Sequence, residues 1–132
     1  MKTFKLTLLV LTIIALMAGH KKNTKKMEEG TYRGRFKVVY PTGTRSGKTT
    51  LELQNSKYTC KGNANRIPAG GSGAYSINSA KVTFYDENIW TADFDWHLIL
   101  NGEYDYSFDG KNLKISAHKN GVGYYEYNLT KK

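Results

Sequence analysis

The residues best suited to chemistry are three alternating side chains, Asp93-x-Asp95-x-His97. On an extended strand alternate residues share one face at a spacing of about 6.5–7 Å, so two carboxylates and an imidazole would face a divalent metal or a proton in transit. The intervening Phe94, Trp96 and Leu98 argue for a plainer outcome: they take the buried face and leave Asp93, Asp95 and His97 in solvent. Cys60 is the single cysteine, which rules out an intramolecular disulfide and a cysteine-built zinc site. It shares a face with Tyr58 and reads as a buried, inert thiol. Arg45-Ser46-Gly47-Lys48-Thr49-Thr50 has the closing residues of a phosphate loop but neither the earlier glycine nor the strand–loop–helix setting. Gly71-Ser72-Gly73 lacks the Gly-x-Ser-x-Gly spacing of an esterase nucleophile, and His118, near a turn, reads as exposed. The expectation is a noncatalytic protein with no metal site and no cofactor.

Alternation with period two runs through the chain, and no long segment shows helical spacing. Tyr32, Gly34, Phe36, Val38 and Tyr40 alternate with Arg33, Arg35, Lys37 and Val39. Turn placement can be tested against these faces, because directly opposed residues in a hairpin point to the same side. A two-residue loop at Asn55-Ser56 sets Leu53 against Tyr58 and Leu51 against Cys60. One at Ser79-Ala80 sets Ile77 against Val82 and Tyr75 against Phe84. Asp109-Gly110, a favoured hairpin dipeptide, sets Tyr106 against Leu113 and Tyr104 against Ile115. Asn120-Gly121 fails as a strict two-residue turn, and a longer or bulged loop there restores Ile115 opposite Tyr127 or Tyr125.

Ala92, Phe94, Trp96, Leu98, Leu100, Gly102, Tyr104, Tyr106 and Phe108 stay in phase without a break. A hairpin at Asn101-Gly102 would mismatch Leu100 with Glu103, so the pattern predicts one long strand over 95–109, bent at Gly102. The predicted strands are 30–40, 47–54, 57–62, 73–78, 81–86, 95–109, 111–118 and 123–130. They make an all-β, antiparallel eight-stranded meander, with loops at 63–72 and 86–94. The predicted inner face carries Tyr32, Tyr58, Tyr75, Tyr104, Tyr106, Tyr125 and Tyr127 of the ten tyrosines, together with Trp96. Such rings either fill a small barrel completely or line a pocket at its mouth. Arg33, Arg35 and Lys37, on the other face, read as a solvated outer surface.

A meander opening on Gly30-Thr31-Tyr32-Arg33-Gly34, and closing on Tyr-x-Phe-Asp-Gly-x-x-Leu-x-Ile (106–115) and Tyr-x-Tyr-x-Leu-Thr-Lys-Lys (125–132), resembles the small lipocalin-like (calycin) barrels of bacterial envelope proteins. Tyr32 stands where lipocalins carry tryptophan. The resemblance covers about residues 28–132 and implies a closed or half-open barrel whose interior takes a ligand.

The amino terminus points to export. Lys2 and Lys5 precede the uncharged run Leu6 to Met17, which is shorter than the roughly 20 apolar residues a membrane-spanning helix needs. Residues 1–19 therefore read as a signal peptide. Leu16-Met17-Ala18-Gly19 resembles the end of a bacterial lipoprotein signal, with His20 at the position of the lipidated cysteine; imidazole offers no thiol, so lipidation is not expected. Residues 20–28 form a basic tether, and 29–132 the barrel domain. The net charge of +9 arises largely before the barrel: from Glu28 onward there are 14 Lys and Arg against 11 Asp and Glu. That balance argues against a nucleic-acid partner, while the tether suits an anionic membrane surface, peripherally. The protein is expected to be periplasmic, outer-membrane-associated or extracellular, and monomeric. Its expected ligand is small and amphipathic or aromatic, held by Tyr32, Trp96, Tyr104, Tyr106, Tyr125 and Tyr127. The alternatives are an envelope-protein partner engaged through loops 41–47, 63–72 and 86–94 over a solid core, or a saccharide stacked on Trp90.

Overall fold

The computed structural model describes residues 24–132; the expected signal peptide, 1–19, and the first part of the tether, 20–23, lie outside the described residues. Eight strands form in chain order: β1 Gly30–Tyr40, β2 Gly43–Gln54, β3 Lys57–Cys60, β4 Gly71–Asn78, β5 Lys81–Asp86, β6 Gly102–Phe108, β7 Asn112–Lys119 and β8 Gly123–Lys131. Each pairs antiparallel with its neighbour, and β8 returns to β1 to close the barrel. Closure leaves no open sheet edge. It is set by the pairs Phe36 with Tyr127 and Val38 with Tyr125, which place aromatic and β-branched side chains together on the inner face. At this seam Gly34 is required by space: a Cβ there would lie 2.0 Å from the Asn128 carbonyl oxygen.

The registers of two hairpins follow the apolar matching in the sequence. Leu53 opposes Tyr58 and Leu51 opposes Cys60, while Ile77 opposes Val82 and Tyr75 opposes Phe84. The β7–β8 turn is a longer loop that sets Ile115 against Tyr127, as the face argument requires. The β6–β7 hairpin differs from expectation by two residues. Phe108 pairs with Leu113 and Tyr106 with Ile115, so the last β6–β7 pair encloses four residues, 109–112, of which Asn112 already pairs with β8. Asp109 causes this: its Oδ1 accepts from the amides of Lys111 (2.9 Å) and Asn112 (2.6 Å), wrapping a wider turn around its own side chain. An even shift keeps every side chain on its intended face.

The predicted long strand over 95–109 does not form. The β5–β6 ladder stops at Phe84 with Gly102, so residues before Gly102 have no partner strand. Gly102 adopts φ +95°, which turns the chain off the ladder. Trp96–Leu98 instead make one 3₁₀ turn, with Asp95 as its cap. The expected loops also move: the first shortens, 63–72 shifts to 61–70 because β3 ends at Cys60, and 86–94 lengthens to 87–101. The β1–β2 connection is the tight turn Pro41-Thr42, with 43–47 inside β2, and β4 begins at Gly71.

Both ends of the barrel are covered. At the upper end the segments 61–70 and 87–101 pair with each other: the Ala69 amide donates to the Leu98 carbonyl and the Leu100 amide to the Gly70 carbonyl, each at 2.9 Å. Ile67, Leu98 and Leu100 are buried beneath this cover. At the lower end Met27 is buried among the core residues, and the Lys25 amide donates to the Phe108 carbonyl at 2.8 Å. The described end of the tether is thus docked against the barrel. Between the two covers the interior is packed with aromatic rings, among them Phe36 against Tyr127 at 4.7 Å and Tyr58 against Phe84 at 4.8 Å between centroids.

Candidate functional site

The Asp-x-Asp-x-His stretch is pulled apart by the 3₁₀ turn. Asp93 faces outward to Arg66, 3.2 Å away, and to the Thr91 hydroxyl. Asp95 turns inward over the upper rim. Its Oδ2 accepts from the hydroxyls of Tyr40 and Tyr125, each at 2.6 Å, joining the ends of β1 and β8. Its Oδ1 accepts from the His97 amide at 2.9 Å and lies 3.1 Å from His97 Nδ1. The His97 ring rests 5.6 Å from that of Tyr125. Among the described residues no group of three His, Cys, Asp or Glu side chains is placed to hold a metal ion.

The electrostatics follow from this packing. Burial works against the charge on Asp95, but the hydroxyls of Tyr125 and Tyr40 and the His97 amide outweigh it and hold the carboxyl below its ordinary range. Burial, and then the Asp95 charge, push Tyr40 up to about 12 and raise Tyr125 as well. At neutral pH the rim therefore presents one carboxylate clasped by two phenols and an imidazole. This arrangement can bind a donor or a cation. His97 Nε2 has no hydrogen-bond partner among the described residues, so Asp95 orients an imidazole without a nucleophile bound to it.

The six expected ligand-binding residues divide into four groups. Tyr104 and Tyr127 lie in the sealed interior, where their hydroxyls are fully buried and have no partner in the protein. Burial raises both. Tyr125 reaches from the interior to the rim. Tyr32 and Tyr106 are buried at the lower end, donating to the carbonyls of Glu28 (2.5 Å) and Ser79 (3.1 Å). Trp96 is outside the interior: it is 55% exposed, and its Nε1 donates to the Thr91 carbonyl at 2.8 Å. The alternation of apolar residue types places it on the inner face of a strand, but the 3₁₀ turn over Trp96–Leu98 breaks the two-residue period and turns the indole outward. Tyr40, Asp95 and His97 were not among the expected ligand-binding residues. Tyr40 closes the in-phase series of β1, which was the available signal for it.

Cys60 is buried as anticipated, 3.4 Å from Thr49 Oγ1. Burial pushes its thiol up to about 11, against the pull of that hydrogen bond, so it is a protonated core side chain. Trp90, the candidate for saccharide stacking, ties its indole N–H to Asp86 at 2.6 Å and packs edge-to-face on Phe94.

Comparison with known protein families, curated proteins and solved structures returned no match. The closed eight-stranded antiparallel barrel is consistent with a lipocalin-like fold.

Proposed function

We propose that the protein is an exported, noncatalytic, lipocalin-like binding protein that takes a small amphipathic or aromatic ligand at the Asp95 end of its barrel. The observation that carries this reading is the clasped carboxylate itself. Asp95 is charged, partly open to solvent and ringed by Tyr40, Tyr125 and His97, so a cationic or amine-bearing ligand meets a fixed negative charge among aromatic faces. Export and a place in the cell envelope rest on the signal-like amino terminus.

Native mass spectrometry of the full chain purified from its own host reports a retained ligand. Titration with an arylamine fluorophore and with a fatty acid, followed by the emission of Trp96 in a Trp90→Phe background, reports uptake. Asp95→Asn is expected to weaken arylamine binding about tenfold, the loss of one charged hydrogen-bond partner.

A second reading is an interaction module of the envelope with a solid core. It is favoured by the dense aromatic packing of the interior together with exposed Tyr85 (54%), Ile89 (100%) and Trp96 (55%) in β5 and the segment that follows it. No retained ligand and no emission response would select this reading over the first.

A further inference from the structure

The outer wall of β1 and β2 carries a groove of about 570 Å³. Its lining includes Arg33, Arg35, Lys48, Lys61 and Lys132, with Thr50 and Asn63, and contains no Asp or Glu. Elsewhere on the barrel six basic side chains are matched with acids, while Arg45, Lys111 and Lys119 stand singly among the described residues. Lys37, Lys57, Arg66, Lys81, Lys114 and Lys131 all lie within 4 Å of carboxylates. Among the described residues none of the five groove cations does, and residues 1–23 contain no acid that could serve.

The strand register makes this more than a general excess of charge. Arg35 and Lys48 are directly opposed in the β1–β2 ladder. Opposed side chains start about 5 Å apart at Cβ, and like charges in that position destabilise a sheet. One step along, Arg33 opposes Thr50, and the Lys61 amide bonds the Thr50 carbonyl at 2.8 Å from the other side. Four cations therefore surround the outward-facing Thr50 side chain. The neighbours across β8 are neutral: Arg35 faces Asn128 and Arg33 faces Thr130. Arg35 also bonds Ser46, 3.2 Å away, which holds its guanidinium over β2.

We infer that this groove is an anion site for a phosphate monoester, presented either by a lipid headgroup or by a soluble ester. A tetrahedral dianion between Arg33, Arg35, Lys48 and Lys61 offsets the Arg35–Lys48 repulsion. It accepts charge-assisted hydrogen bonds from the guanidinium and ammonium groups, with the Thr50 hydroxyl as a further donor. This site lies on the wall of the barrel, separate from the Asp95 rim.

The test uses the full chain, titrated by calorimetry with inorganic phosphate and glycerol 3-phosphate. Sedimentation is then followed with phosphatidylcholine vesicles in which one lipid in five is replaced by phosphatidic acid. Binding of glycerol 3-phosphate and of phosphatidate vesicles alike assigns the site to the monoester group itself. Preference for the vesicles assigns it to a headgroup, and preference for the soluble ester to a free ligand. Arg35→Gln with Lys48→Gln is expected to weaken binding about tenfold, while Arg45→Gln with Lys111→Gln, equal in charge removed but outside both the groove and the tether, leaves it within twofold. The groove variant should keep or raise the melting temperature, because cross-strand repulsion is removed. Should it fail to fold, Lys61→Gln, beyond the β1–β2 ladder, is expected to weaken binding about threefold. Equal losses in the groove and Arg45/Lys111 variants, or no binding of any of the three probes by the unmodified chain, would overturn the proposal.

Discussion

Asp95 and Tyr125, thirty residues apart in sequence, meet in a 2.6 Å hydrogen bond that ties the upper cover to the last strand of the barrel. The Tyr40 hydroxyl reaches the same oxygen, so one carboxylate fastens the cover to both strands of the closing seam.

Asp95→Ala should therefore loosen the cover as well as alter the rim. Hydrogen bonds to a charged group contribute roughly 1.5–3 kcal/mol each, and part of that returns when the phenols meet water. A net loss of about 2 kcal/mol in urea denaturation is expected. Trp96 emission should change with it, since Trp96 sits next to the Asp95 cap. A loss below about 0.5 kcal/mol would show that the clasp does not hold the cover.

The same carboxylate gives the stability a direction in acid. The folded pKa of Asp95 lies below its unfolded value of about 3.9, so its contribution is complete above that value and disappears as pH falls through the folded one. Glu126 is also lowered: burial opposes its charge, and Tyr124, Asn128, Lys114 and Lys37 outweigh the burial. Stability should be level from neutral pH to about 5 and fall steeply below about 4. Asp95→Asn should flatten that fall, and an unchanged acid limb would remove Asp95 from the account.

At high pH the tyrosines act in the opposite sense. Burial, and then the Glu28 charge, push Tyr32 up to about 12, and Tyr40 reaches a similar value. Tyr58, Tyr104, Tyr125 and Tyr127 are raised too, each chiefly by burial. A raised folded value means stability that is complete below the unfolded pKa of about 10 and lost as pH climbs through the folded one. Phenolate absorbance should show a minority of the ten tyrosines ionising near pH 10, and the rest in one cooperative step with unfolding. Ten independent ionisations near pH 10 would contradict the sealed interior.

Tyr127→Phe removes a buried hydroxyl that has no protein partner. An unsatisfied buried polar group costs about 1–3 kcal/mol, so this variant should be more stable by about 1 kcal/mol. A loss of similar size, measured by thermal or urea unfolding, would mean that the hydroxyl is bonded to something the barrel retains.

Tyr106→Ala tests the lower end. Tyr106 is buried, donates to the Ser79 carbonyl and packs in the common core. Aromatic truncations in packed cores cost roughly 3–5 kcal/mol, and that range is expected here. A loss under about 1 kcal/mol would place Tyr106 at a hydrated edge instead.

The barrel was legible because burial in a closed antiparallel sheet leaves a period-two record that fixes strand faces, and apolar matching across Asn55-Ser56 and Ser79-Ala80 then fixes register. The Asp109 turn was misjudged by two residues because face matching cannot distinguish registers that differ by an even number. The upper cover was misread for a related reason. Phe94, Trp96, Leu98 and Leu100 keep a period of two in residue type, but Leu98, Ile99 and Leu100 are all buried under the barrel end, and the lack of a β5 partner beyond Phe84 marks the segment as a cover. The Asp95 clasp was hidden further, since it depends on three segments that only the closed fold brings together.

The docking of Met27 and Lys25 at the lower end gives the domain a polarity. The chain enters beside the turns at 55–56, 79–80 and 109–112, whereas Asp95 and the covering segments occupy the far rim. β1 alone spans 11 residues, and at about 3.3 Å per residue and a tilt of about 40° it carries that rim roughly 25–30 Å from the point of entry. Asp95 and the docked segment 24–27 therefore lie at opposite ends of the barrel, so an event at one end reaches the other only through the length of the strands.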